Sequence, residues 1–284
     1  MQKLCTIFLY IFSLISCKQG ELSSKIITAL LIAHRSEVKP SVINKLKDKD
    51  HKVGGKMNEL QQPDINTENI EEKQKLILKK KAQEAYTKFE DRLIKYKLQL
   101  INERSQLNLK NYELNIPFKK ISPIFNETEQ QEDIYAALGN DISIITDLEK
   151  ILNILDLKKS ASYTYGDTKV AIHFLNLLLK ISEYTKKLIN THLSSTTLKR
   201  IKNSKSVEDI IVIYDLLEEF IKERENAIKT IQNQITSLAS KKDKQAILDE
   251  LKRTVGLNGS NGADIQKASY SIIKIVACMA YLVK

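Results

Sequence analysis

Between residues 207 and 238 the chain repeats one step pattern without a break. Val207, Ile210, Tyr214, Leu217, Ile221, Arg224, Ile228, Ile231, Ile235 and Leu238 follow one another at alternating intervals of three and four. That spacing keeps one face of an α-helix turned the same way through about nine turns, whereas a half-buried strand needs alternation of period two. A helix of that length cannot bury its own stripe, so the chain must supply partner helices. Two further stripes do so: Ala82, Tyr86, Phe89, Leu93, Tyr96, Leu100, and Val170, Phe174, Leu177, Ile181, Tyr184, Leu188. With 8 Gly and 4 Pro in 284 residues, breakers are too few for an all-β or βαβ chain. The expected fold is all-α, a multi-helix bundle over residues 68–284.

Shorter segments at 129–138, 141–157, 194–201 and 243–255 read as helices between the long ones. Thr128-x-x-Gln131 and Ser206-x-x-Asp209 are expected helix starts, and Gly139 and Gly256 are expected ends. Pro117 and Pro123 confine 116–126 to a loop. The last helix, 264–283, contains "SIIKIVACMAYLV" and is apolar on more than one side. It is expected to be the most enclosed helix or a homodimer contact. Arg224 interrupts the longest stripe, where an isolated charge is costly. Two readings stay open: a buried polar anchor paired with a carboxylate on another helix, or drift of the helix off the seam with the side-chain stem reaching outward.

The start of the chain has a different character. The α-amino group and Lys3 precede an almost wholly apolar run, Leu4 to Ile15, broken by Thr6 and Ser13. It suits the core of a secretory signal and is shorter than the roughly 20 residues a membrane-spanning helix needs. Leu14-Ile15-Ser16-Cys17 then has the pattern of a bacterial lipobox, in which the thiol takes diacylglycerol and cleavage falls between the small Ser16 and Cys17. The competing reading is an ordinary signal with an incidental cysteine. On the lipobox reading residues 1–16 are a signal peptide and Cys17 is a lipid attachment point that holds the chain on an outer membrane at the cell surface. Cys5 leaves with the signal, so Cys278 remains as the one other cysteine and no internal disulfide is available. Cys278 reads as a small buried hydrophobe. Residues 17–67, rich in charge and containing Pro40, Gly54, Gly55 and Pro63, read as a flexible tether. The apolar "IITALLIA" at 26–33 within it is too short to span a bilayer.

The net charge of +10 raises a nucleic-acid reading, but an exported lipoprotein meets no genome. Residues 180–205 hold Lys180, Lys186, Lys187, Lys199, Arg200, Lys202 and Lys205 against Glu183 alone. The patch is either a solvated face or an attraction for acidic glycans and acidic proteins. His34, His51, His173 and His192 show no H-x-x-x-H spacing and no cysteine partner, so no metal site is expected. Neither Gly54-Gly55 nor "GLNGSNG" at 256–262 carries a phosphate-loop lysine followed by Ser or Thr. Carboxylates such as Glu218 and Glu219 read as solvated helix faces. No enzyme activity and no cofactor is expected.

Three segments carry a resemblance: "EDIYAALGNDISIITDLEKILNIL" (132–155), "FLNLLLKISEYTKKLINTHLSSTTLKRI" (174–201) and "LLEEFIKERENAIKTIQNQI" (216–235). They resemble the paralogous outer-surface lipoprotein family of Lyme-disease Borrelia, which includes the complement regulator-acquiring surface protein CspA. The resemblance covers roughly residues 70–284. It implies an all-α domain displayed on the spirochaete surface, and Arg224 falls within a family-like F-I-x-x-R pattern that favours the anchor reading. Members differ in partner: some engage complement regulators, terminal complement, plasminogen or host matrix, and many have no known ligand, so a host protein is the expected partner class without any binding residue carried over. Lys284, last in the sequence, is a candidate plasminogen contact, because its ammonium beside a free carboxylate resembles the lysine that kringle pockets take. The alternatives are a plasminogen- or matrix-binding adhesin and an envelope structural lipoprotein with no host ligand.

Overall fold

Tyr86, Phe89, Leu93 and Tyr96 are all buried, and they define the inner face of α1 (Thr67–Gln106). At 40 residues this helix is about 60 Å long. The computed structural model describes residues 67–107, 114–157, 166–257 and 263–284. The expected signal peptide, Ser16, Cys17 and the stretch expected to be a tether therefore lie outside the described residues, and the compact helical unit runs from Thr67 to Lys284. All regular structure among the described residues is helical: α1, α2 (Phe118–Ile121), α3 (Thr128–Ala137), α4 (Ile142–Ile154), α5 (Asp167–Lys186, continued by a π-helical segment, Lys187–His192), α6 (Ser195–Ser204), α7 (Val207–Ala239), α8 (Lys244–Thr254) and α9 (Asp264–Leu282), with one 3-10 turn described below. The chain folds as an all-α bundle.

Two helices organise it. The 33-residue α7 packs against α1, α4, α8 and α9, while α5 packs against α3, α8 and α9. The last helix, α9, lies against both α7 and α5 and so joins the two groups. α5 and not α9 is the most enclosed: ten of its 20 residues are buried, including Leu175, Leu177, Leu178 and Leu179 on successive sides. In α9 six of 19 are buried. Tyr270, Lys274 and Ala277 give that helix an outward strip, which the apolar run at its end conceals in the sequence. Cys278 is half-buried against the core and unpaired, and burial raises its thiol pKa.

Helix ends follow local chemistry. Ser206 accepts from the Asp209 amide at 3.1 Å, and Asp141, Ser194 and Asp243 cap α4, α6 and α8 in the same way. Gly139 and Gly256 sit at φ +73° and +80° just past helix ends, a conformation that costs other residues about 1–2 kcal/mol. The Thr128 start works differently from expectation. Thr128 is the first helical residue, the preceding Glu127 makes no side-chain cap, and Gln131 Nε2 instead donates to the carbonyl of Phe125 at 3.1 Å. The 116–126 segment is not plain loop either, for it holds α2 and a 3-10 turn, Pro123–Asn126. Pro117 and Pro123 stand where a helix begins, positions that lack a hydrogen-bonded amide anyway. Burial of Phe118, Ile121 and Phe125 holds both turns in place.

Candidate interaction surface

The described residues with the most organised polar chemistry lie along the seam between α1 and α7. The two helices run parallel. Arg92 pairs with Glu218, and seven residues later on both helices Gln99 meets Glu225. Tyr96 packs edge-on to Phe220, ring centroids 6.1 Å apart. A shared heptad step lets each turn of one helix meet the same turn of the other, the geometry of bundle packing. Arg92 holds both Glu218 oxygens, at 2.6 and 3.1 Å, and keeps that carboxyl below its ordinary range. Glu218 is thus half-buried and structural, not a solvated carboxylate.

Arg224 is 4% exposed, and its Nη2 lies 2.9 Å from Glu103 Oε2 on α1. The guanidinium does not reach out to solvent. Beside it, burial pushes the Tyr96 phenol up to about 12, and the nearby guanidinium opposes that rise. Neither Tyr96 Oη nor Arg224 Nη1 has a hydrogen-bond partner among the protein atoms. The Arg224–Glu103 pair thus ties α7 to α1 at this turn of the seam.

Near the start of α7 the seam opens into a groove of about 450 Å³, lined by Lys81, Ala85, Lys88, Val207, Ile211 and Tyr214 among others. Lys88 Nζ stands 4.7 Å from the Tyr214 ring. Ahead of the groove, α1 continues past the end of its partner: residues 72–80 lie outside the core and are exposed on all sides. Leu76, Ile77 and Leu78 there are 68%, 54% and 57% exposed.

Several basic residues of 180–205 have partners within the fold. Lys186 is tied to Glu129 and Asp133 on α3, at 2.9 and 2.7 Å. Arg200 donates to the Val283 carbonyl at the end of α9, and Lys202 lies over the Tyr86 ring at 5.4 Å. Lys180 and Lys205 are half-buried, while Lys187 and Lys199 are exposed. Lys284 is exposed beside a buried Val283. It lies near enough to His192 to join burial and Lys187 in lowering that imidazole's pKa. His173 Nε2 lies 3.1 Å from the Val255 carbonyl, which ties α5 to the end of α8. Among the described residues no group of His, Cys, Asp or Glu comes together as a metal site. Comparison with protein-family models, with curated proteins and with solved structures finds no match.

Proposed function

We propose that this chain is a lipid-anchored surface protein whose helical domain binds a host protein non-covalently, in immune evasion or adhesion, and catalyses nothing. The observation that carries the reading is Leu14-Ile15-Ser16-Cys17 at the end of a 12-residue apolar run, Leu4 to Ile15, that follows a charged start. Cleavage before Cys17 and acylation of that residue would leave the chain on the outer face of an outer membrane. The likeness of residues 132–155, 174–201 and 216–235 to the Borrelia outer-surface lipoproteins supports a host partner, and a complement component or regulator is the partner class it favours. A second reading, plasminogen binding, is favoured by the exposure of Lys284.

The test is binding of the purified full chain to factor H, terminal complement proteins and plasminogen at physiological salt. Saturable binding to a complement protein is the expected result. Binding to plasminogen alone, abolished by free lysine or by Lys284→Ala, replaces complement with plasminogen. No binding to any of them, with nothing recovered from serum, favours an envelope structural lipoprotein.

A further inference from the structure

The exposed start of α1 fits neither the core nor the seam. Residues 73–81, KQKLILKKK, contain five lysines and no acid. All five are exposed, and so are Leu76, Ile77 and Leu78 between them. Three consecutive exposed aliphatics on a folded helix are an error of patterning unless they serve a contact. A groove on a protein partner reads a helix at i, i+3, i+4 and i+7. Adjacent residues instead sweep about 200° of the helix circumference, and so present no single face to such a groove. A lipid interface imposes no such register. It takes apolar side chains from a tilted helix end, while lysine stems carry their ammonium groups back to the head groups.

Charge narrows the surface further, because the five lysines outnumber Glu68, Glu71 and Glu72 at the start of the same helix and leave a positive excess around the aliphatic cluster, complementary to anionic head groups. Position narrows it again. The described structure begins at Thr67, about ten residues before this cluster, and Cys17 lies upstream of Thr67 in the sequence. This end of the domain is therefore the one that the sequence joins to the expected anchor. No helix among the described residues is long and apolar enough to cross a membrane, so the contact is interfacial. We infer that Leu76, Ile77 and Leu78, flanked by Lys73, Lys75, Lys79, Lys80 and Lys81, dock the start of α1 on the anionic lipid surface that holds the chain's own anchor. This rests on the lipoprotein reading for the identity of the membrane, not for the chemistry of the contact. Docking fixes the pose of the domain, with α1 rooted at the membrane and the rest of the bundle carried away from it.

The chain has no Trp, so Ile77→Trp places a single reporter in the cluster, at an exposed position that leaves the core untouched. Lipidated full chain carrying this substitution is reconstituted in vesicles of phosphatidylcholine, alone or mixed with phosphatidylglycerol. The expected result is blue-shifted emission, shielded from a soluble quencher, in the mixed vesicles only. A Tyr270→Trp chain, reporting from α9, shows no shift. Each lysine near an anionic surface favours binding about five-fold, so adding Lys79→Gln and Lys80→Gln lowers the docking equilibrium constant about 30-fold at the same lipid. Equal emission in both vesicle types overturns the inference. So does a shift that tracks protein density without regard to lipid, which means a second copy, or one that needs an added acidic protein. A shift seen only when phosphatidylglycerol vesicles are added to chain anchored in phosphatidylcholine means capture of a foreign membrane and overturns the assignment to its own. A chain that fails to float with phosphatidylcholine vesicles sinks the Cys17 reading alone, and its emission with phosphatidylglycerol vesicles still decides the helix contact.

Discussion

Replacing Glu103 with Ala should damage this fold more than replacing Arg224 with Met, although both changes break the same ion pair. The asymmetry follows from burial. The Arg224 side chain is 5% exposed and that of Glu103 is 23% exposed. Glu103→Ala leaves a guanidinium sealed beside Phe220 and Tyr96 with its carboxylate gone, a loss in the range of about 3–5 kcal/mol for a broken buried pair. Arg224→Met removes the costly charge, keeps an unbranched apolar stem in the seam, and leaves a carboxylate that water can reach. Its cost should be at most about 1–2 kcal/mol. Against a typical total of about 5–15 kcal/mol, the first change shifts the transition strongly and the second barely. Urea unfolding at neutral pH, with midpoint and slope both fitted, reads the difference. The double variant should resemble Arg224→Met alone. Equal losses from the two single variants, or additive losses in the double, would refute the claim that the guanidinium is the group whose burial must be compensated.

Burial, with Lys180 and Lys169 nearby, holds His173 below its ordinary pKa, and burial with Lys187 and Lys284 does the same to His192. Between those lowered values and about 6.5 the unfolded chain binds more protons than the folded one. Stability should therefore be full above about pH 6.5 and fall below it, and a urea midpoint unchanged on acidification through that window would contradict the assignment. Gly256→Ala should cost about 1–2 kcal/mol from its φ of +80°, and the new Cβ also forces the Gln266 side chain aside; a thermal melt at the parent temperature would exclude that strain. Deleting the chain from Ile272 onward removes the buried Ile272, Ile275, Val276, Met279 and Val283, each contributing about 1.5–3 kcal/mol. The cooperative transition should vanish, whereas a helix serving only a dimer would leave a folded monomer.

The long helices were legible because their stripes repeat at every turn, and a period survives local noise. Arg224 was legible as an anomaly for the same reason, since a charge on a regular seam stands out. Its partner was not, because Glu103 is 121 residues away and no spacing within either helix encodes which turn faces which. Glu218 was misread on the same ground: on its own helix it looks like any outward carboxylate, and only the parallel docking of α1 brings Arg92 onto it. The stripe of α5 lies in the core, and the helix also buries Leu175, Leu178 and Leu179 beside it, while Lys169, His173, Asn176, Lys180 and Glu183 keep one polar strip. A six-position stripe marks the centre of a buried face and says nothing of its width. The exposed Leu76-Ile77-Leu78 could have been found in the sequence as an apolar run lying off the stripe that starts at Ala82. What could not be found there is that α7 starts too late to cover it.

The proposal that the chain is a surface lipoprotein meets its most direct test in the intact mass of the chain extracted from the membranes of cells that make it. The account predicts a polypeptide beginning at Cys17, heavier than its amino acids by a diacylglycerol on sulfur and an acyl group on the new amine. A chain that retains residues 1–16, or one that begins elsewhere, or one whose Cys17 thiol is free, would contradict it.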